Sequence, residues 1–171
     1  MHTQKKVIVR SEAIEARSDV HSVHRAAFGR ADEADLVDSL REEGVVLVTL
    51  VAEVEKQIVG HILFSRMWIE TDSGSIPAVA LAPLSVLPEY QRQGIGGELI
   101  RNGLDLLNER GERIVMVLGH PGYYPRFGFS TRAARSLENP FPPEAFMALE
   151  LVVGALDGIH GKVRYPAAFG L

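Results

Sequence analysis

Glycines and polar residues are concentrated between Gln91 and Gly97, where a long apolar segment gives way to a helical pattern. The first backbone N–H groups of a helix have no partner within the helix, and the helix dipole adds partial positive charge there. Gly94, Gly96 and Gly97 lack a Cβ, so an anion can approach this main chain closely. Arg92 and the amide of Gln91 or Gln93 add donors that suit phosphate oxygens. The segment therefore predicts a binding site for a phosphate-bearing ligand.

Two common phosphate motifs do not fit this segment. A dinucleotide fingerprint requires glycine three positions after Gly96, where Leu99 stands. A P-loop requires Gly-Lys followed by Ser or Thr, but the Gly-Lys pair that begins at Gly161 precedes Val163. The sequence therefore argues against nucleoside triphosphate chemistry.

The elements around the glycine segment predict a mixed α/β fold. Helical spacing of apolar residues predicts three helices, at Ser18 to Phe28, Asp32 to Glu43 and Gly94 to Arg110. Runs of β-branched residues predict strands at Val7 to Val9, Val45 to Val54, Gln57 to Glu70, Ile76 to Val86, Ile114 to Leu118, Ala145 to Val153 and Lys162 to Tyr165. Pro121 to Phe127 is predicted as a short turn or helix.

One proline lies inside the predicted strand that leads to the glycine segment. Proline cannot donate to a strand ladder, so Pro83 predicts a bulge or a place where neighbouring strands separate. The strand, the turn and the following helix then form one strand-helix-strand crossover over residues 76 to 118. This crossover would position the anion site.

Composition limits the chemistry that remains. The chain has 171 residues, no Cys and a formal net charge of −4, which is typical of one globular domain, here 1–171. Without Cys there is no thiolate nucleophile, no acyl-cysteine intermediate and no Cys-containing zinc site, and we expect no bound metal. The charge does not suggest a nucleic-acid partner. The apolar runs are too short for a membrane span and no signal-peptide pattern is present, so we expect a cytoplasmic protein.

Two motifs resemble those of the GNAT superfamily of N-acetyltransferases. Gln91 to Gly96 matches the Q/R-x-x-G-x-G/A acetyl-CoA motif, and Tyr123 to Phe129 is similar to the Y-x-x-x-G-F segment. The order of elements fits the family from about residue 7 to 153. Parts of the chain are also similar to a bacterial subgroup of predicted acetyltransferases. The resemblance implies a central mixed, mostly antiparallel sheet of six to seven strands. About four helices would flank this sheet, which would be splayed at its fourth and fifth strands.

The same resemblance implies a reaction and a set of site residues. Acetyl-CoA would be the co-substrate, and its acetyl group would pass directly from sulfur to a primary amine of a small molecule or peptide. Tyr124 matches the family position of the general acid that protonates the CoA thiolate. The cofactor would lie on residues that flank the strand-helix junction: Leu84, Ser85, Val86, Gln91, Arg92, Gln93, Gly94, Ile95, Gly96 and Gly97.

Several assignments stay open at this level. Tyr123 is an alternative to Tyr124 as the acid, and a non-catalytic acyl-CoA-binding sensor would carry the same motifs. O-acetyl transfer to an alcohol is a weaker alternative, and the strand Ala145 to Val153 could pair across a homodimer. The general base has five candidates, with Ser85 acting through a water molecule: Glu53, His61, Glu70, Ser85 and His120.

Two further groups of polar residues are interpreted as surface features. His21 and His24 are three positions apart on the first predicted helix, which is a spacing that metal ligands use. No carboxylate pattern completes such a site, so we expect both on a solvated helix face. Acidic residues of the second helix are expected to be solvated as well: Asp32, Glu33, Asp35 and Asp38.

Overall fold

The strand-rich segments assemble into one sheet of eight strands in a computed structural model that describes residues 5–171. The strands are β1 (Val7–Ser11), β2 (Val46–Val54), β3 (Gln57–Thr71), β4 (Gly74–Val86), β5 (Ile114–Leu118), β6 (Leu137–Glu138), β7 (Phe146–Glu150) and β8 (Gly161–Arg164). The α-helices are α1 (Arg17–Phe28), α2 (Asp32–Glu43) and α3 (Ile95–Glu109). Short 3₁₀ turns occupy Ile14–Ala16, Pro88–Tyr90, Tyr124–Phe127 and Ala167–Phe169.

The sheet is mostly antiparallel. Six strands lie in the order β1-β2-β3-β4-β5-β7, and β8 pairs with both β3 and β6. Only the β4–β5 and β6–β8 pairs are parallel among the named strands. The expected fold class is confirmed, with one strand more because the two-residue β6 is too short to carry a periodic pattern. The segment predicted as a short turn or helix forms a 3₁₀ turn at Tyr124–Phe127 and not a fourth α-helix.

Helices cover both faces of the sheet. Successive residues of β3 point to opposite faces, so their contacts show which helix lies on each face. Leu63 packs with Val37 and Leu40 of α2. The next residue, Phe64, lies against Gly103 of α3. The two helices therefore lie on opposite faces, with α1 beside α2. Among residues 5–171, no helix has the length and apolar character needed to cross a bilayer.

The proline of β4 lies at a bulge, as its sequence position predicts. Ile62 of β3 pairs with Leu84, but Phe64 pairs with Leu81, so Ala82 and Pro83 lie opposite one residue of β3. A bulge increases local twist and bends the strand that carries it.

The bend separates β4 from its other neighbour. β4 and β5 pair only at Val79 with Val115 and at Ala80 with Met116. β4 continues to Val86 and β5 to Leu118 without further pairing between them. The two strands therefore diverge, and the expected splay at the fourth and fifth strands is confirmed.

Candidate active site

The divergence of β4 and β5 opens a cavity of about 1160 Å³, which we call the wedge cavity. Residues 81–86 of β4 and residues 118–120 at the end of β5 form its walls. The first turn of α3 reaches it from one face of the sheet, and Ala27 and Phe28 of α1 reach it from the other. Its volume suits a ligand of cofactor size. The cavity is thus open toward both helical layers.

The sequence-predicted site residues converge on this cavity. Leu84, Ser85, Val86, Gln91, Arg92, Gly94, Ile95, Gly96, Gly97 and Tyr124 line it. Gln93 lies outside the lining, and its side-chain amide donates to the Glu89 carbonyl oxygen at 3.3 Å. The structure therefore brings together the strand end and the helix start that the sequence singled out.

The loop into α3 is held in a strained, braced conformation. Arg92 has φ 63°, a left-handed backbone that side chains with a Cβ seldom adopt. Gly94, the N-cap of α3, has φ 83°, which glycine adopts without steric cost. The Gln91 amide donates to the Val86 carbonyl oxygen at 2.9 Å. Both glutamine amides, expected as phosphate donors, instead brace the loop, and this leaves the first-turn backbone N–H groups as donors for an anion.

Three arginines give the wedge cavity positive charge. Arg92, Arg101 and Arg126 line it, and none has a carboxylate within ion-pair distance among residues 5–171. The Arg101 guanidinium lies 5.0 Å from the centre of the Phe127 ring. Sequence reasoning missed Arg101 and Arg126. Arg101 could have been found from its position one helical turn after Gly97.

The two tyrosines of the second motif occupy different places. A Cβ on Gly96 would fall 2.8 Å from the Tyr123 hydroxyl oxygen, so Tyr123 lies over the first turn of α3. A Cβ on Gly119 would fall 2.3 Å from the Tyr124 ring, so Tyr124 packs on the end of β5. Burial, together with the neighbouring Tyr123, raises the pKa of Tyr124 to about 12. The Tyr124 hydroxyl therefore stays protonated near neutral pH.

Behind Ser85, a row of buried polar side chains runs away from the cavity. Ser85 Oγ lies 2.5 Å from His24 Nδ1, and His24 Nε2 lies 2.8 Å from His61 Nδ1. His61 Nε2 in turn lies 2.8 Å from a Glu12 carboxylate oxygen. Both histidines are fully buried. The expectation that His24 lies on a solvated helix face is therefore wrong, because α1 turns this position onto β3 and β4.

The remaining candidates for the general base are distributed more widely. His120 lines the wedge cavity. Glu53 pairs with Arg10, and Glu70 accepts hydrogen bonds from Ser75 and Arg164. His61 has no access to the cavity except through His24 and Ser85. Ser85 and His120 are thus the two candidates that reach a bound ligand directly.

Known proteins share both the sequence pattern and the fold. The family described as acetyltransferase (GNAT) domain matches residues 9–132. The chain belongs to the GNAT family of acetyltransferases. The uncharacterized N-acetyltransferase YjhQ of Escherichia coli is 44% identical over 135 residues, which cover 77% of this chain and 75% of that protein. The uncharacterized N-acetyltransferase YhbS of Escherichia coli is 37% identical over 153 residues, which cover 88% and 90%.

Solved GNAT structures extend the likeness over nearly the whole chain. The crystal structure of YhbS in complex with CoA matches with a TM-score of 0.90 and 33% identity, and covers 100% of this chain and 96% of that one. A GNAT acetyltransferase from Brucella melitensis in complex with acetyl-CoA matches with a TM-score of 0.81 and 35% identity, and covers 97% and 99%. The family and the enzyme class predicted from sequence are confirmed, and the matched range contains the wedge cavity and both tyrosines.

Proposed function

We propose that this GNAT enzyme transfers the acetyl group of acetyl-CoA directly to a primary amine, with Tyr124 as the general acid. The main support for this proposal is the wedge cavity, which extends from the N-terminus of α3 to the unpaired edge of β4. The complexes of the two similar GNAT structures with CoA and acetyl-CoA support it. The acceptor would enter from the α1 side, where Ala27 and Phe28 line the cavity.

The phosphate end of the cofactor would lie on the first turn of α3. No side chain in the described part of the protein caps this end of α3, so the first-turn backbone N–H groups are left for an anion, and the helix dipole favours negative charge. Arg101 and Arg126 add charge-assisted donors along the same wall. The three cavity arginines would thus offset the negative charge of the cofactor phosphates.

The thioester would lie against the free edge of β4. The Leu87 N–H donates to the Val59 carbonyl on the β3 side at 2.8 Å. Because successive backbone amides of a strand point in opposite directions, the Val86 N–H is directed into the wedge cavity. A donor positioned at a developing oxyanion is typically worth about 3 kcal/mol of barrier. Val86 would therefore stabilise the tetrahedral intermediate.

The chain carries the remaining chemistry on oxygen and nitrogen, since it has no Cys to form an acyl intermediate. The amine nitrogen attacks the thioester carbon, the C–S bond breaks, and the electron pair stays on sulfur. Tyr124 is placed at the β5 end, and its raised pKa keeps it able to donate a proton to that sulfur. Tyr123 lies over the phosphate end instead, which favours Tyr124 as the acid.

Thiol release tests the activity. Acetyl-CoA would be incubated with a panel of amino acids, polyamines, aminoglycosides and peptides, and a thiol reagent would report free CoA without background from protein cysteine. Tyr124→Phe is expected to lower kcat about 100-fold and to leave the Kd for CoA within about twofold. Tyr165→Phe, which removes a hydroxyl from a ring packed on Phe141 and Phe169, is the matched control. Absence of thiol release with every amine, with CoA still bound, would favour the sensor alternative.

Calorimetry with CoA tests the cofactor site. Gly96→Glu places a carboxylate at the first turn of α3 and against the Tyr123 hydroxyl, so binding is expected to be lost. Asn102→Glu adds the same charge to an exposed position of the same helix and is expected to retain binding. An unchanged Kd in the Gly96 variant would contradict the placement of the phosphates.

A further inference from the structure

The buried row behind Ser85 joins four helices and strands and the residue that follows β1. Ser85 belongs to β4, His24 to α1, His61 to β3, and Glu12 follows β1. Arg41 of α2 closes the row with an ion pair to Glu12. Both histidines are fully buried, the Glu12 side chain is 3% exposed, and Ser85 is 4% exposed. Burying so many polar groups is costly unless each is hydrogen-bonded, and here every member has a partner.

The Glu12 carboxylate at one end of the row determines the direction of every hydrogen bond in it. An ionised carboxylate only accepts hydrogen bonds, so His61 must donate to Glu12 through its Nε2–H. The Thr49 hydroxyl oxygen lies 2.6 Å from both Nε2 and the Glu12 carboxylate oxygen, donates to Glu12 and accepts from the same Nε2–H. His61 Nδ1 is then an acceptor, and His24 must donate to it through its own Nε2–H. His24 Nδ1 is left as an acceptor for the Ser85 hydroxyl. Ser85 therefore keeps its lone pairs for a donor that comes from the cavity.

The Ser85 side chain lies on the face of the sheet from which an acceptor would arrive. Ser85 pairs with His61 across the ladder, so both side chains lie on the face of the sheet covered by α1. The neighbouring Leu84 lies on the α3 face, within 4 Å of a Cβ placed on Gly96. Ser85 also lines the wedge cavity next to Val86, the proposed donor to the thioester oxygen. A nucleophile that reaches the thioester from the α1 side passes this hydroxyl.

We propose that Ser85 is the group that takes the proton from the acceptor amine, and that His24, His61 and Glu12 form a relay that carries this proton away. This inference rests on the proposed acetyl transfer. Ser85 is then a second catalytic residue beside Tyr124, because it touches the reacting nitrogen, and the other three residues act through it.

The proton transfer balances atom by atom. As the N–C bond forms and the C–S bond breaks, Ser85 Oγ takes a proton from nitrogen and gives its own to His24 Nδ1. His24 passes its Nε2 proton to His61 Nδ1, and His61 passes its Nε2 proton to Glu12. Both rings end as neutral tautomers and Glu12 ends as a neutral acid, while Tyr124 supplies the proton for sulfur. After the product leaves, the reverse shift along the row returns the proton through Ser85 to water in the cavity, which restores Glu12 and both starting tautomers. Water also reprotonates Tyr124 before the next turnover.

The surroundings of the row favour proton transfer over storage of a positive charge. Burial lowers the pKa of His24 to about 3, with His61 adding to the effect, and burial also lowers the pKa of His61. The titratable and charged groups that act on His24 lie on α1, α2, β3 and the residue after β1: His21, Arg41, His61 and Glu12. The strand β4 contributes the Ser85 hydroxyl. An imidazolium is therefore disfavoured in the row, whereas a concerted shift of protons leaves both rings neutral. Burial by itself would raise the pKa of Glu12, but hydrogen bonds from His61 and Thr49 lower it, so Glu12 holds the proton only briefly.

Steady-state kinetics with an amine identified by thiol release tests the relay. Ser85→Ala is expected to lower kcat about 100-fold with the KM for acetyl-CoA within about twofold, and Ser85→Thr, which keeps a hydroxyl, is expected to restore most of the rate. Ser65→Ala is the matched control, because Ser65 is a buried serine of β3 whose hydroxyl has no hydrogen-bond partner among the described residues. A Ser85→Ala enzyme with unchanged kcat would overturn the proposal.

The pH profile separates proton transfer from a structural role. The relay accepts the proton without hydroxide, so wild-type kcat is expected to be level between about pH 7 and 9. In Ser85→Ala the proton must leave to solvent base, and kcat is expected to rise by up to about tenfold per pH unit. Parallel profiles would overturn the relay. An acetyl group located on Ser85 by peptide mass mapping after incubation with acetyl-CoA alone would also overturn it, because Ser85 would then be a nucleophile.

The tautomers provide a readout that does not depend on activity. Two-bond ¹H–¹⁵N correlation spectra of the ligand-free protein at pH 7 are expected to find His24 and His61 neutral, each protonated at Nε2. His24→Gln and His61→Gln assign the signals among the six histidines of the chain. Nδ1 protonation of either ring would overturn the relay and leave acetyl transfer intact. Failure of acetyl transfer itself is recognised separately, because wild-type protein would then release no thiol.

Discussion

His24 has no solvent exposure in the folded protein, and its burial carries a consequence for stability in acid. Burial and the neighbouring His61 lower the pKa of His24 from 6.5 to about 3. Between these values the unfolded chain binds a proton at this position and the folded chain does not. The neutral ring thus stabilises the fold fully above about pH 6.5, and this stabilisation is lost as the pH falls toward 3.

The size of the loss follows from the two pKa values. Each pH unit inside the window costs about 1.36 kcal/mol, so the free energy of unfolding falls by about 2 to 3 kcal/mol between pH 7 and 4.5 through His24 alone. This is a large fraction of the 5–15 kcal/mol that a domain usually has. The lowered pKa values of His61 and Glu12 act in the same direction, so the total loss is larger.

Urea unfolding at pH 7 and at pH 4.5 measures this loss. His24→Gln removes the titrating ring, so the difference between the two pH values is expected to shrink by about 2 to 3 kcal/mol, although the variant is less stable at both. Ser85→Ala leaves His24 buried and should keep most of the difference. His160→Gln replaces an exposed histidine and serves as the control. Equal pH differences in wild type and His24→Gln would refute the reasoning.

Two glycine positions provide further predictions, each with Gly122→Ala as control because a Cβ there meets no atom within 4 Å. A Cβ on Gly103 would fall 2.2 Å from the fully buried Phe64 ring, so Gly103→Ala is expected to lower the free energy of urea unfolding by about 2 kcal/mol despite alanine's better helix propensity. A stabilised variant would contradict this packing. Gly119→Ala is expected to displace the Tyr124 ring and to lower kcat about as much as Tyr124→Phe, with CoA affinity retained. Thiol-release kinetics checks this, and an unchanged kcat would argue against Tyr124 as the acid.

The local pattern of the chain was sufficient to predict the elements and the anion end of the site. Gly94, Gly96 and Gly97 lie together between an apolar strand and an amphipathic helix, so their proposed role follows from their neighbours in sequence. The bulge at Pro83 follows from the missing N–H of one residue. These features depend on backbone chemistry over a few positions, and a sequence records such chemistry directly.

The relay behind Ser85 was decided only by the tertiary structure. His24 is 37 positions from His61 and 61 positions from Ser85, and nothing in the helical pattern around His24 distinguishes a buried polar partner from a solvated one. The same ring becomes a hydrogen-bonded core residue because α1 packs across β3 and β4 at this point. A sequence specifies which groups can exchange protons, but the packing of distant elements decides which of them are within 3 Å of each other.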